Sequence, residues 1–436
     1  MTLMIAGFLY ARRRELFGGF ILGVILSTQV AAAGQGVGQR RIAITWLNAG
    51  DQLTHLGTFP TTSPWAPGTE DLVIPAHCRI RFLLGRLYLI SPDTDEVFAV
   101  DPTTWSIDQA YAIGTGLQPV DLLLLDPRTA LVACRASSNL LRLNLAGGAR
   151  EPAVARAWYA DADGVPEVEA LATFDGRLFV SMQRLESKSG FPALPPAVGV
   201  IDLATGLPID AVPATPGVQP IVLEGTAPHG KMQVVPAASR LFVKATGAWM
   251  DSGGLELVDL VTLQSQGRVI REQEEAAAEL GAFVMMDGDN GYYVDSTDLL
   301  LSSHLHKFSI GGGPPSPDHH TELNYLSPVL IHEPFDDLLF MPVPDGVHVF
   351  DAASAFRLTA AAVPFDIPED MTSYVVGCGS LADANGDGQV NGLDVQSFVD
   401  CVVGSGLDCP CLDLDGSGRT DSEDARLFSA VLLHSP

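Results

Sequence analysis

A short β-strand unit recurs along most of the chain, and this repeat limits the fold more than any other feature of the sequence. In each copy an alternating apolar stretch ends at an acidic or small polar residue and continues into Thr, Ala or Gly. The six residues at this point are Asp101, Asn144, Asp202, Asp259, Ser309 and Asp351, at intervals of 43, 58, 57, 50 and 42 residues. Several copies also contain an earlier strand in a recurring setting, as in Gly85-Arg86-Leu87-Tyr88. The middle of the chain is therefore an array of similar strand-rich units.

Units of this length, built from short strands with turn residues between them, are typical of β-propeller blades. One blade cannot bury both of its faces alone, so a closed ring of blades is expected. We count six units and expect a seventh from Ile42 to Ile74, completed by strands near Ala362 to Ile367. The prediction is a mainly β protein with one seven-bladed propeller over residues 40–370. Six or eight blades, or a pair of β-sandwiches, are the alternatives. The stretch from Gly85 to Gly148 most resembles the YVTN-type and related quinoprotein-like propellers.

Two acidic loops of twelve residues, at 383–394 and 413–424, follow near the C-terminus. Both place oxygen-bearing side chains at loop positions 1, 3, 5, 9 and 12, and both have Gly at position 6. Ca²⁺ prefers six to eight oxygen ligands, and a Gly permits the sharp turn that lets such a loop converge on one ion. Position 7 contributes its backbone carbonyl. The candidate ligands are Asp383, Asn385, Asp387, Gln389, Asn391 and Asp394 in the first loop, and Asp413, Asp415, Ser417, Arg419, Asp421 and Asp424 in the second. The pattern predicts two calcium ions.

The two loops differ in strength, and solvated acidic turns are the alternative explanation for both. The second loop is the weaker candidate because Ser417 is a neutral ligand and Thr420 replaces the apolar residue that Val390 provides in the first loop. Each loop leads into a predicted helix, and the two helices align without a gap so that Phe398 and Phe428 fall at the same step. Duplication of loop and helix together favours metal binding over chance.

A loop followed by a single helix, repeated once, resembles a type I dockerin over residues 379–433. The resemblance implies a small α-helical calcium-binding domain, which we place at 378–436, that folds on calcium and docks onto a cohesin module. Partner contacts in that family centre on loop positions 10 and 11. These are Gly392-Leu393 and Ser422-Glu423 here. Because the two pairs differ, a symmetric two-way docking mode is not expected.

The N-terminus has the features of an export signal at residues 1–33. Three arginines at 12–14 precede an apolar run at 16–26, and Ala31-Ala32-Ala33 offers a small-residue cleavage site. The run is too short for a spanning helix, so we predict no stable membrane span after cleavage and a bacterial-type secreted or cell-surface location. The formal charge of −27 argues against nucleic acid or an anionic membrane as the main partner.

Six cysteines fit an oxidising compartment. Cys378, Cys401, Cys409 and Cys411 lie in the predicted calcium domain, where three disulfide pairings are open. A zinc site is the alternative, but Cys409-Pro410-Cys411 has an unusual spacing for zinc and export favours disulfides. Cys78 and Cys134 either pair with each other or stay as buried thiols.

The sequence contains no recognisable catalytic motif. His304, His306, His319, His320 and His332 lie close together in the sequence and could approach a metal or substrate, although most are expected on or beside loops in structural roles. We therefore favour a binding or scaffold protein whose propeller takes a glycan or protein ligand. The alternative is an extracellular carbohydrate-active enzyme, a lyase or hydrolase, with its site on the propeller axis. Clustered His, Arg and acidic side chains around the channel would favour the enzyme.

Overall fold

The computed structural model describes residues 38–155, 159, 162–185, 194–225, 228–245, 253–272, 279–296, 302–312, 315–323, 325–378, 381–385, 389–404 and 409–434. The predicted export signal at 1–33 lies outside these residues, as does Asp387 of the first acidic loop. Within the described part of the chain, no helix combines the length and apolar character needed to cross a membrane.

The first three described strands form the outer part of blade 7, whose innermost strand comes from the end of the propeller sequence. They are β1 (Gln39–Leu47), β2 (Thr54–Pro60) and β3 (Asp71–Ile74). Blade 1 consists of β4 (Arg79–Leu83), β5 (Arg86–Ser91), β6 (Glu96–Asp101) and β7 (Ser106–Ala112). Blade 2 consists of β8 (Pro119–Asp126), β9 (Thr129–Cys134), β10 (Asn139–Asn144) and β11 (Arg150–Ala155). Blade 3 consists of β12 (Val168–Phe174), β13 (Arg177–Met182), β14 (Ala197–Asp202) and β15 (Pro208–Ile209), with β16 (Ile221–Val222) also paired to β14.

Three further blades and a closing strand complete the ring. Blade 4 consists of β17 (Gln233–Val235), β18 (Arg240–Ala245), β19 (Gly254–Asp259) and β20 (Gln264–Arg271). Blade 5 consists of β21 (Glu279–Met285), β22 (Asn290–Ser296), β23 (Ser302–Ser309) and β24 (His320–Leu323). Blade 6 consists of β25 (Ile331–Glu333), β26 (Leu338–Val343), β27 (Gly346–Asp351) and β28 (Val363–Pro364). The closing strand is β29 (Ile367–Val376), which pairs with β1 to form blade 7 with β1, β2 and β3.

The described residues form a seven-bladed β-propeller, which confirms the predicted fold class. The first strand of each blade lies innermost, and these seven strands (β4, β8, β12, β17, β21, β25 and β29) contact one another around the ring. Every strand pairs antiparallel with its neighbours in the blade. The axis of the ring is therefore lined by one strand from each blade.

The sequence predicts that strands near Ala362 to Ile367 complete blade 7, and this prediction names the wrong residues. The strand at 363–364 pairs with β27 as the outermost strand of blade 6. Blade 7 is instead completed by the ten-residue β29, whose residues from Ile367 to Val376 pair with β1. The last propeller strand is thus held by the first one.

The recurring acidic and polar residues end the third strand of each of the first six blades. Asp101, Asp202 and Asp351 show the physical reason, since each side chain accepts a hydrogen bond from a backbone N–H two or three residues later, at 2.7, 2.8 and 2.8 Å. Such bonds stabilise the tight turn into the outermost strand. The repeat therefore marks the same turn in each of the first six blades.

The interior lies between successive blades, where aromatic side chains recur at one position of the second strand. Phe179, Phe242 and Phe340 are each the third residue of their strand and are completely buried, and Tyr88 at the same position in blade 1 is nearly so. Each blade covers the apolar face of the next, which is how short sheets become stable in a ring.

The tail forms two helices, α1 (Asp394–Val403) and α2 (Ser422–His434), as the sequence predicts. The rings of Phe398 and Phe428 stack at 4.2 Å between centroids. Disulfides join Cys378 to Cys411 and Cys401 to Cys409. Cys78 and Cys134 are buried and take part in neither disulfide, so the two do not pair with each other.

The tail packs directly against the propeller. Phe398, Leu414 and Phe428 share one hydrophobic cluster with Leu83 of blade 1 and Leu124 of blade 2. Burial of apolar surface on both sides stabilises this contact by roughly 25 cal/mol per Å². The tail is therefore seated on the ring.

Candidate functional site

The first acidic loop is organised by its last residue. One oxygen of the buried Asp394 accepts the N–H of Asn385 at 3.0 Å, and the other accepts the N–H of Asn391 at 2.7 Å. The carboxylate thus joins the third and ninth positions of the loop. Asp383 and Gln389 lie among the described residues at positions 1 and 7, and each makes interactions of its own.

The second loop repeats this arrangement at the same positions. The oxygens of the buried Asp424 accept the N–H groups of Asp415 and Asp421 at 3.2 and 2.7 Å. The Oγ of Ser417 donates to the carbonyl oxygen of Arg419 at 3.1 Å. The side chain of Arg419 points instead to the propeller, where it donates to a backbone carbonyl of blade 5 at 3.1 Å. Both loops therefore have one internal design.

The second loop brings three carboxylates together. One oxygen from each of Asp413, Asp415 and Asp424 lies within 4.8 Å of the others. Asp413 is 1% exposed, and its Oδ1 is buried without a hydrogen-bond partner. Burial and repulsion by Asp415 raise the pKa of Asp413 to about 8, and the same causes raise the pKa of Asp421 to about 7. A buried oxygen without a donor, among acids that resist ionisation, is an environment that a divalent cation would relieve, so these residues fit Ca²⁺.

The second loop and α2 also form contacts with the inner strands of the propeller. Arg426 donates to the carbonyl oxygens of Leu124 and Leu125 at 2.7 and 2.9 Å. The carbonyl of Leu414 accepts the N–H of Leu84 at 2.8 Å. These contacts lie at or just beyond the C-terminal ends of the inner strands. The tail therefore covers one end of the ring.

A cavity of about 1090 Å³ lies on the axis between the inner strands. Its walls carry titratable side chains: Arg79, Arg81, His229, Lys231, Lys244, Glu369 and Asp370 from the propeller, and Asp415, Asp421, Glu423 and Arg426 from the tail. The size suits a small-molecule or short oligomeric ligand. Histidine, arginine and acidic side chains together around the channel are the arrangement expected for the enzyme alternative.

Most of the basic groups form ion pairs that connect blades. Arg81 of blade 1 holds Asp121 of blade 2 through two hydrogen bonds of 2.9 and 2.7 Å. Arg79 pairs with the fully buried Glu169 of blade 3 at 2.8 Å. The bidentate Arg81–Asp121 pair fixes geometry as well as charge, and Arg79 holds Glu169 through its carboxylate and its backbone carbonyl. These arginines therefore hold the inner strands together.

Lys244 is different from the other basic groups of the cavity. Its Nζ donates to the carbonyl of Gly281 at 2.6 Å, and no carboxylate of the described residues lies within 4 Å of it, although Glu279, Glu272 and Glu169 attract it from farther away. Burial lowers its pKa to about 8. Burial, with Lys244 nearby, also lowers the pKa of His229 to about 4, so this imidazole is neutral at pH 7. Perturbed groups inside a cavity are typical of functional sites.

The five histidines selected from the sequence do not form one cluster. The expectation that most lie on or beside loops holds for His319, which precedes β24, for His320, its first residue, and for His332 in the three-residue β25. His304 and His306 lie in β23, His320 in β24 and His332 in β25. His332 lines the cavity and bonds the carboxylate of Asp337 at 2.9 Å. Among the described residues, a different set, His320 with Glu322 and His348, comes together.

Sequence reasoning missed the basic side chains of the cavity. Arg79 and Arg81 alternate with apolar residues in β4, and residues two apart in a strand share a face. Two arginines on one face of an otherwise apolar strand were a usable signal. No comparable signal marks Lys231 or Lys244, because nothing local tells which strand faces the axis.

Two solved structures share the propeller fold with this chain. A candidate 6-phosphogluconolactonase from Bacteroides fragilis has 12% identity and a TM-score of 0.53, and the match covers 77% of this chain and 98% of that one. A candidate 6-phosphogluconolactonase from Bacteroides uniformis has 12% identity and a TM-score of 0.51, covering 78% of this chain and 100% of that one. Similarity at this level shows the fold alone. No protein-family model and no curated protein matches the sequence.

Proposed function

We propose that this chain is a secreted binding protein whose axial cavity takes up an acidic oligosaccharide. The observation that carries the proposal is Lys244, a buried cation in the cavity without an ion-pair partner among the described residues. A chain with a formal charge of −27 otherwise repels anions, so a cation inside its central cavity is a specific feature. A ligand carboxylate or sulfate beside Lys244 would neutralise it and favour its charged form.

The end of the cavity that the tail covers supports the same proposal if the tail binds calcium. Asp415 and Asp421 belong to the second acidic loop and also line the cavity. A calcium ion bound by this loop would compensate their charge, and an anionic ligand would then meet less repulsion there. We propose one ion in each loop, held by the twelve residues that the sequence identifies. The first loop is proposed on its pattern and on its organisation by Asp394.

We propose further that the tail carries the docking surface for a cohesin-type partner, and that only the first repeat presents it. Leu393 is 71% exposed, and Val395, Val399 and Val403 continue this exposed apolar stripe along α1. In the second repeat, Glu423 turns towards the propeller and lines the cavity. Two disulfides in the tail support an oxidising, extracellular location.

Calorimetric titration of the full chain with oligogalacturonates, and with neutral cello-oligosaccharides for comparison, tests the ligand proposal. We expect the acidic oligosaccharides alone to bind. Lys244→Met should weaken that binding about tenfold, because one buried charge-assisted contact is worth about 1.4 kcal/mol or more. Lys307→Met is the matched control, since Lys307 also donates to a backbone carbonyl at 2.6 Å but on the outer part of blade 5.

Binding of neutral and acidic oligosaccharides with equal affinity, or of neither, would refute the ligand proposal. The docking proposal has its own test. In a pull-down with type I cohesin modules, Leu393→Asp should abolish capture, while Ser422→Asp should leave it unchanged. The reverse pattern would show that the second repeat is the docking surface.

A second candidate function is an extracellular carbohydrate-active enzyme acting in the same cavity. Lys244 favours it, because a lysine whose pKa is about 8 can exchange a proton near neutral pH. The discriminating measurement is the appearance of new reducing ends or of unsaturated sugar products during long incubation. Turnover that Lys244→Met abolishes would establish the enzyme, and binding without any product would exclude it for the oligosaccharides used.

A further inference from the structure

A cluster of imidazole and carboxylate side chains joins blades 5 and 6 outside the axial cavity. His320 and Glu322 are two residues apart in β24, the outermost strand of blade 5, so they lie on one face of that strand. His348 lies in β27, the third strand of blade 6. One donor atom from each of the three residues lies within 4.8 Å of the others.

We propose that His320, Glu322 and His348 bind a divalent transition metal ion, for which zinc is the best match. Two imidazoles and one carboxylate are a recurrent zinc ligand set that leaves a fourth position open. With ligands about 2.1 Å from a tetrahedral ion, neighbouring donor atoms are about 3.4 Å apart. The distance between Nε2 of His320 and Oε2 of Glu322 is 3.1 Å, so this pair needs almost no movement.

The surroundings of His348 fit a ligand role. This residue is 7% exposed, and its Nδ1 lies 3.0 Å from Oγ1 of Thr359. The same oxygen accepts the N–H of Val349 at 3.2 Å and has a second lone pair for an Nδ1–H group. With Nδ1 donating in this way, Nε2 keeps its lone pair for an ion. A fixed tautomer of this kind is usual for metal-binding histidines.

The donor set also separates this site from the acidic loops of the tail. The rings of His320 and His348 meet edge to face at 5.0 Å, and Phe350 packs against His320 at 5.6 Å. Nitrogen donors beside an aromatic wall suit zinc, copper or nickel, whereas calcium and magnesium prefer oxygen throughout. The proposed ion would connect two neighbouring blades at their outer strands.

Zinc titration of the metal-free full chain, in millimolar calcium to occupy the tail loops, tests the proposal. We expect one zinc ion to bind and the melting temperature to rise with zinc concentration. His348→Gln and His320→Gln should each weaken zinc binding about a hundredfold, by loss of one ligand. His77→Gln is the control, because His77 is exposed and pairs with Asp93 away from the cluster.

Cobalt substitution provides a readout that does not depend on the variants. Co²⁺ bound to the wild-type chain should give the intense visible bands of a four-coordinate site, and zinc should displace it. The proposal is wrong if the wild type binds zinc no more tightly than the His320→Gln/His348→Gln double variant. It is equally wrong if His77→Gln lowers affinity as much as the cluster variants, or if cobalt gives only a weak octahedral spectrum. These results do not depend on whether the axial cavity binds a sugar.

Discussion

Replacing Asp413 by Asn should have opposite consequences with and without calcium. The substitution keeps the shape of the side chain and an oxygen that can accept the N–H of Gly418, a bond of 2.9 Å in the wild type. It removes one negative charge from the second acidic loop. In the presence of a chelator Arg40 is the only cation beside this charge among the described residues, whereas with calcium bound the carboxylate is one of the proposed ligands.

The distances give the size of the change in the free energy of unfolding when a chelator is present. With an effective dielectric constant of about 20, two like charges 4.8 Å apart repel by about 3.5 kcal/mol. Ionised Asp413 therefore carries about 3.5 kcal/mol of repulsion from Asp415, and burial adds a desolvation cost of roughly 4 kcal/mol. Attraction by Arg40, whose Nη1 lies 3.5 Å from Oδ2 of Asp413, offsets about 5 kcal/mol of this cost. We expect Asp413→Asn to raise the free energy of unfolding of the metal-free protein by about 2 kcal/mol or more at pH 8.

The pH dependence in a chelator follows from the raised pKa of Asp413. Its pKa is about 8 in the folded protein against an ordinary value of 3.8, so the folded state keeps a proton that the unfolded state has lost. Stability of the metal-free wild type therefore falls as pH rises from about 4 to 8. The advantage of Asp413→Asn should accordingly vanish near pH 4 and be largest near pH 8.

Calcium should reverse the contribution of this carboxylate. At a calcium concentration a thousand times the Kd, one site stabilises the folded state by about 4 kcal/mol. The first loop contributes equally to both proteins, so the wild type should gain about 4 kcal/mol more than Asp413→Asn on addition of calcium. Hydrogen exchange of the α2 amides, with calorimetry of the whole chain, measures both differences.

Asp400→Asn is the control, because it removes the same charge from an exposed position of α1 and should change stability by less than about 0.5 kcal/mol. The reasoning is refuted if Asp413→Asn destabilises the metal-free protein and both proteins gain equally from calcium. That result would mean that Asp413 serves only to bind Arg40 and the loop backbone.

Three further predictions concern single residues. Arg426→Met should weaken the packing of the tail on the propeller by about 3 kcal/mol, because it removes two charged hydrogen bonds. Hydrogen exchange should then become faster at the α2 amides and stay unchanged at the propeller amides. Asp383→Ala should weaken calcium binding more than Ser417→Ala, because it removes a charged ligand; equal Kd values from calcium titration would contradict the ranking of the loops. Lys244 has a folded pKa of about 8 against 10.5, so wild-type stability should rise between pH 8 and 10 by up to about 3 kcal/mol, and Lys244→Met should remove this rise in denaturant titrations.

The repeat in the sequence predicted six blades well because its signal is local. Asp101, Asp202 and Asp259 form turns with their own neighbours in the chain, so composition at the turn reveals the strand before it. The closing strand β29 has no such signal. Its partner β1 lies more than three hundred residues earlier, and pairing at that distance leaves no trace in either segment alone.

The candidate sites also differ in whether their residues are close together in the sequence. The acidic loops are local motifs, and the sequence identified both of them with the helices that follow; their ions stay a prediction. The axial cavity and the His320–His348 cluster arise from strands of different blades, so no single segment predicts them. The cysteine pairing is a similar case, since the connection of Cys378 to Cys411 depends on how the tail folds.

The pairing of β29 with β1 also determines when the ring can close during synthesis of the chain. While ribosomes are still translating residue 366, three strands of blade 7 exist without their inner neighbour, and the nascent chain has no complete ring. Truncation before Ile367 should therefore yield aggregated polypeptide rather than a smaller soluble propeller.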